Sequence, residues 1–259
     1  MTGVQTCALP IYAQTEELRR SNAELEQFAY VASHDLQEPL RKVASFCQMI
    51  ERRYGDQLDD RGRQYIEFAV DGAKRMQALI NDLLAFSRVG RESSVDEAVD
   101  LNEVARQALA NLAALREETD AQVDVGDLPH VSGDRAQLVR LFQNLVGNAI
   151  KFRRPDEPPR VVVDARRAGD EWEFRCADNG IGIEPRHADR IFLIFQRLHP
   201  RDEYTGTGIG LALCKKIVEY HGGRIWLGSG DGSPGTAFHW TLPVQPHSRS
   251  EDGGTHSHD

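Results

Sequence analysis

"RAQLVRLFQNLVGNAIKF", residues 135–152, is the stretch on which the architecture turns. Its pattern is that of a long helix. Asn144 and Asn148 stand four residues apart and so share one face, with Lys151 one turn further on. Two asparagines on a helix are more often solvent-facing or capping than functional. Their meaning depends on what surrounds them.

Helix and strand signals alternate on both sides. Before the stretch, "LNEVARQALANLAAL" (101–115) is helical, "AQVDV" (121–125) is a strand and "HVSGD" (130–134) a short one. After it, "RVVVDARR" and "WEFRCAD" alternate as strands around the turn "AGDE". A long irregular stretch to Tyr204 follows, then a helix from about Gly208 to Tyr220 and the strands "GRIWLGS" and "TAFHWTL". Separate runs of helices and strands predict an α+β sandwich with helices on one face of a mixed sheet.

Upstream the pattern is purely helical. Leu25, Phe28, Ala32, Leu36, Leu40, Val43, Cys47 and Ile50 recur at three- and four-residue spacing, one face of a helix. "YGDQLDDRG" (54–62) carries Gly and Asp turn signals. A second stripe runs through Tyr65, Phe68, Gly72, Met76, Leu79, Leu83 and Phe86. Two such helices form an antiparallel hairpin with only a thin core. A four-helix bundle from two chains would bury both stripes, which predicts a homodimer. The chain is therefore multi-domain: an all-α hairpin over 14–88, a polar linker over 89–99, and the α+β domain over 100–245. Residues 1–13 are expected to be a non-native or disordered leader and 246–259 a disordered tail.

The net charge of −9 argues against general nucleic-acid binding. Cys7, Cys47, Cys176 and Cys214 lie far apart without metal spacing and read as free thiols of a reducing, cytoplasmic compartment. No apolar run approaches the length of a membrane span.

Three glycine-bearing motifs follow the long helix. In "DNGIGIE", Asp178 ends a strand, and Gly180 and Gly182 would permit positive φ and a close ligand. A carboxylate at the base of such a pocket can accept from an exocyclic amine such as adenine N6, although the same letters also spell a plain Asp-Asn-Gly turn. In "GTGIGLAL", Gly206, Gly208 and Gly210 open a helix whose N-terminal N–H groups can face phosphate oxygens. The spacing is weak by itself, and it falls too late in the chain for a dinucleotide fingerprint. "GTAFHW" (235–240) says almost nothing alone. If phosphates are present, the amide oxygens of Asn144 and Asn148 suit magnesium, and Lys151 adds a point charge.

The order of these motifs is more specific than any member. With "SHDLQEPL" (33–40) upstream, the chain resembles the sensor histidine kinases of two-component signalling over about residues 15–245. "SHDLQEPL" looks like that family's phospho-acceptor box, "NLVGNAIKF" like its asparagine box, "DNGIGIE" and "GTGIGLAL" like its main glycine boxes, and "IFLIFQRLH" (191–199) like its phenylalanine box. The wording is most similar to kinase cores behind PAS or phytochrome-type sensors. The resemblance implies a Bergerat-fold ATPase domain, shared with gyrase and a heat-shock chaperone. It implies autophosphorylation of His34 with Mg–ATP and transfer to an Asp of a response regulator receiver domain. It places magnesium on Asn148, with help from Asn144, and adenine on Asp178. Gly180, Gly182, Gly206, Gly208 and Gly210 would shape the nucleotide pocket, and residues 183–205 would be its lid. Arg197 either reaches the phosphates or stays an exposed lid arginine. Two departures stand out: "IFLIF" lacks the usual Glu-Pro, and Arg140 replaces a common Gln. The upstream sensor is expected to lie outside this chain. The rival readings are a gyrase- or chaperone-like ATPase, which would lack the hairpin, and a phosphorelay scaffold without ATP chemistry.

At about 100° per residue, His34 points away from the apolar stripe, with Glu38 on its own face. That phase argues against a core histidine, and only Glu38 is near enough to share a metal. An exposed nucleophile remains: neutral imidazole attacks without extreme tuning, and Asp35 can hold its tautomer or take up the proton. Pro39 would bend the helix just below His34. Glu38 stands where many family members keep Thr or Asn to orient water, which predicts weak phosphatase activity.

Overall fold

The computed structural model describes residues 36–90, 98–198, 204, 206–228 and 235–244. The chain divides into two compact units, Met1–Glu92 with Arg186–Lys216, and Ser93–Pro185 with Ile217–Asp259.

In the first unit, residues 36–54 are helical throughout (α1). A 3-10 turn over Gly55–Gln57 leads to α2 (Asp60–Arg88). Asp59 starts α2 as its N-cap, its carboxylate accepting the Gly62 N–H at 2.7 Å. The two helices run antiparallel: Gln37 Nε2 donates to Asn81 Oδ1 at 2.9 Å across the hairpin. Leu40, Ala44, Ala73 and Gln77 line the groove between them, and Ala73 is buried. Much of the remaining apolar surface is not covered within one hairpin. Leu36, Val43, Phe46, Met49 and Ile50 on α1, with Tyr65, Phe68 and Met76 on α2, are all exposed. Pro39 sits inside the helical run, and the Asp35 carbonyl it would free lies outside the described residues.

The second unit is built on a five-stranded sheet of order β2-β4-β5-β7-β6. Its strands are β2 (Gln122–Val125), β4 (Arg160–Ala168), β5 (Glu171–Asp178), β6 (Ile225–Leu227) and β7 (Ala237–Pro243). β2 and β4 pair in parallel and the other neighbours antiparallel, so the sheet is mixed. A separate ladder joins β1 (Ala98–Asp100) to β3 (His130–Ser132). Helices α3 (Leu101–Asn111) and α5 (Arg135–Lys151) pack together, and α5 lies against β4 and β5. Strand alternation turns Val161, Val163, Phe174, Cys176, Phe238, Trp240 and Leu242 inward, where all are buried. The centre is aromatic: Trp240 stacks on Phe174 at 5.1 Å and meets the edge of Phe142 from α5 at 5.6 Å. On the outer face Arg175 pairs with Asp164 at 2.8 Å. The expected sandwich of helices on a mixed sheet is thus present.

Two local expectations differ. The single helix read over 101–115 is two, because the chain turns at Leu112 (φ −99°, ψ 7°) before α4 (Ala113–Thr119), and the turn keeps the Leu112 side chain buried. The helix expected from about Gly208 begins at Gly210 as α6 (Gly210–Tyr220).

Candidate functional site

The helix α5 is held at its start by Asp134, whose Oδ1 accepts the N–H groups of Ala136 at 2.8 Å and Gln137 at 3.1 Å. Its apolar face is in the core, which leaves Asn144, Asn148 and Lys151 on the partly exposed side. Asn144 turns its amide N–H₂ back to the Arg140 carbonyl at 2.9 Å. That bond uses a donor and leaves the amide oxygen as an acceptor facing away from the ladder. Lys151 carries its ammonium 4.4 Å from the centre of the Phe152 ring.

The end of α5 is tied to the segment after β5. Phe152 closes the helix by donating to the Asn148 carbonyl at 2.9 Å, and its own carbonyl accepts the Ile181 N–H at 3.0 Å. This contact explains Gly180 in a way the sequence did not. Gly180 does not have positive φ; a Cβ there would lie 2.4 Å from the Phe152 oxygen. Close approach, not backbone handedness, requires the glycine. Gly182 does adopt positive φ, at 79°.

Asp178 is the last residue of β5. Its Oδ1 accepts two backbone N–H groups, from Gly180 at 2.8 Å and from Thr236 at 3.1 Å. Thr236 also accepts the Asp178 N–H at 2.9 Å. Burial pushes this carboxyl up to about 6, against the lowering effect of the two N–H groups. Both donors fall on the same carboxylate oxygen. Sequence reading missed Thr236, since nothing in "GTAFHW" signals that the chain returns to Asp178. Asn179 is structural: its Oδ1 accepts the Arg160 N–H at 2.8 Å and its amide donates to the Pro158 carbonyl at 3.1 Å.

The remaining candidates belong to the first unit. Arg197 donates to the carbonyls of Tyr204 and Gly206, each at 2.7 Å, so its guanidinium holds the backbone that leads into the glycine segment. Gly206 has φ 147° and Gly210 opens α6. Gly208 (φ 77°) accepts the Phe195 N–H at 2.9 Å, and Phe195 is itself left-handed at φ 65°. Asn144, Asn148, Lys151, Asp178, Gly180 and Gly182 therefore lie in one unit, and Arg197, Gly206, Gly208 and Gly210 in the other. His34 and Asp35 lie outside the described residues, as do the leader and the tail.

The donor set fits a cation that arrives with phosphates. Asn144 and Asn148 offer neutral oxygens, and among the described residues no three His, Cys, Asp or Glu come together to hold a metal alone. Among the same residues no helix is long and apolar enough to cross a membrane.

Comparison with known proteins finds two families along the chain. The profile of the His Kinase A (phospho-acceptor) domain matches residues 24–92, and that of the histidine kinase-, DNA gyrase B- and HSP90-like ATPases matches residues 133–246. The chain is 51% identical to cyanobacterial phytochrome A of Nostoc sp. (strain PCC 7120) over 92% of its own length and 31% of that protein. It is 48% identical to the phytochrome-like protein Cph1 of Synechocystis sp. over 88% of its length and 30% of that protein. It thus spans about a third of these curated relatives. Among solved structures, full-length ShkA in complex with AMPPNP superposes with a TM-score of 0.64 at 26% identity, covering 84% of this chain and 45% of that one. With a phospho-acceptor hairpin and an ATPase domain matched in succession, the chain belongs to the sensor histidine kinase family.

Proposed function

We propose that this chain is the catalytic core of an ATP-dependent protein-histidine kinase. Mg–ATP binds in the domain spanning residues 100–245, His34 of the 14–88 hairpin receives the γ-phosphoryl group, and an Asp of a response regulator receives it next. The observation that carries the reading is Asp178: a half-buried carboxylate held by the N–H groups of Gly180 and Thr236 through one oxygen. In this reading the second oxygen would accept from the exocyclic amine of adenine. Asn148, with Asn144, would hold magnesium, which supplies charge neutralisation on the phosphates. Gly180, Gly182, Gly206, Gly208 and Gly210 would shape the nucleotide pocket and its phosphate end, and Lys151 would add a point charge for the phosphates.

Phosphoryl transfer asks the protein mainly for positioning and charge. A ring nitrogen of His34 forms the N–P bond, the bond from γ-phosphorus to the bridging oxygen breaks, and ADP leaves. Asp35 orients the ring or takes the proton that the imidazole loses. Arg197 acts through the backbone it grips. The exposed Phe46, Met49, Tyr65 and Phe68 support a homodimer in which two hairpins complete a four-helix bundle. The cytoplasm is the compartment that supplies ATP and reduced thiols, and Cys47 and Cys176 carry free thiols.

The test is incubation with γ-labelled ATP, wild type against His34→Ala. Acid-labile, base-stable label is expected on the wild type alone. Label that survives in the variant overturns the reading.

A further inference from the structure

The last two turns of α2 carry two contacts to the glycine segment and its helix, all within the first unit. Thr207, between Gly206 and Gly208, donates its hydroxyl to Asp82 Oδ2 at 2.6 Å. The same hydroxyl oxygen lies 3.3 Å from the Ile209 N–H, which it accepts. One turn along α2, the Phe86 carbonyl accepts from Lys216 Nζ at 2.7 Å, and the ammonium sits 4.5 Å from the centre of the Phe86 ring. Asp82 and Phe86 are four residues apart and share a helix face.

Each contact answers a local need. The last four carbonyls of a helix have no partner within it, and a cation there also meets the negative end of the helix dipole. Lys216 satisfies one of these carbonyls on α2, which ends at Arg88. Asp82, set further back on α2, accepts the Thr207 hydroxyl in a short charge-assisted hydrogen bond. The glycine segment is stiff on its other side as well. A Cβ at Gly208 would lie 3.1 Å from backbone atoms of Phe195, so lid and glycine segment fit only without a side chain. The chain of contact runs from α2 through Thr207 to Gly208 and then to Phe195.

We propose that Asp82 is a positioning residue for phosphoryl transfer. Through Thr207, with Lys216 on Phe86 as the second point, it fixes the phosphate end of the glycine segment against the hairpin that carries the phospho-acceptor. The inference rests on the kinase reading above. It goes further by giving α2 a part in the transfer step that its sequence motifs do not assign. Such a clasp raises the effective concentration of the donor at its acceptor and leaves nucleotide binding alone.

The test uses the full chain and two readouts: binding of a fluorescent ATP analogue, and the rate of His34 labelling at saturating Mg–ATP. Asp82→Ala should bind the analogue as the wild type does and label about tenfold more slowly, the size of one hydrogen bond to a charged group. Asp82→Asn keeps an acceptor for the Thr207 hydroxyl and should recover most of the rate. Thr207→Val should match Asp82→Ala, and combining the two should add little further loss. An unchanged or faster rate in Asp82→Ala overturns the proposal, as does a parallel loss of analogue binding. A wild type that carries no label on His34 overturns the kinase reading, and this inference with it.

Discussion

His221, just past α6, accepts the backbone N–H of Asp134 on Nε2 at 3.0 Å. Its Nδ1 faces the Ile217 carbonyl at 2.7 Å, so the neutral ring uses its one acceptor and its one donor. Burial lowers its pKa below the ordinary 6.5. The unfolded chain therefore binds this proton more readily than the folded one. The stability His221 contributes is fully present above pH 6.5 and is lost as pH falls toward the folded value. Replacing His221 with Phe leaves the Asp134 N–H without its acceptor. It should cost about 1–3 kcal/mol at pH 8 in denaturant unfolding and reduce the acid sensitivity of the melt.

Asp178 titrates with the opposite sign. Its carboxyl rises from 3.8 to about 6 on folding, so the folded state holds the proton longer. Folding stability from this group is greatest below pH 3.8, falls as pH rises toward 6, and stays reduced above it. Asp178→Asn keeps an oxygen for Gly180 and Thr236 and removes the half-buried charge. At pH 7.5 the variant should be more stable, by on the order of 1–3 kcal/mol, and should bind ATP at least tenfold more weakly by calorimetry. Wild-type affinity should decline as pH drops below about 6.

Asn148→Ala should leave the fold intact, because its side chain is on the partly exposed face of α5. The magnesium concentration needed for half-maximal His34 labelling should rise about tenfold or more, the scale of a lost ligand or its support. A titration of labelling rate against magnesium reads this directly.

Phe46 and Phe68 are 61% and 60% exposed on the single hairpin. Burying a phenylalanine is worth roughly 1.5–3 kcal/mol, and a lysine in the same place reverses the sign. Phe46→Lys with Phe68→Lys should convert a dimer into monomer at micromolar concentration, measured by sedimentation equilibrium. A wild type that sediments as monomer refutes the dimer itself.

Glu38 is paired with Lys42 at 2.7 Å, and both side chains are exposed. A carboxylate there repels an approaching phospho-aspartate. Glu38→Thr should accelerate the decay of a phosphorylated receiver domain about tenfold, with little change in His34 labelling.

Legibility followed the range of the interactions. The α5 helix with Asn144 and Asn148 and the two hairpin helices were readable because periodicity and capping are local. β1 was not, because three residues pair with a partner thirty positions away and "AVD" carries no strand signature. Thr236 reaches Asp178 across 58 residues, and Arg197 spends its guanidinium on carbonyls, which no side-chain pattern encodes. Gly180 was visible as a glycine, but its cause, the Phe152 oxygen, is a tertiary contact.

The stacked pair of Trp240 and Phe174 gives the protein a built-in optical probe. All three tryptophans, Trp172, Trp226 and Trp240, follow residue 170, and the hairpin has none. Trp240 is fully buried, and among the described residues its indole nitrogen has no hydrogen-bond acceptor. Its emission should be blue-shifted and should redden when the sheet opens. Helical circular dichroism also follows the hairpin. The two signals can therefore be recorded on one sample to separate loss of the sheet from loss of the hairpin without any label.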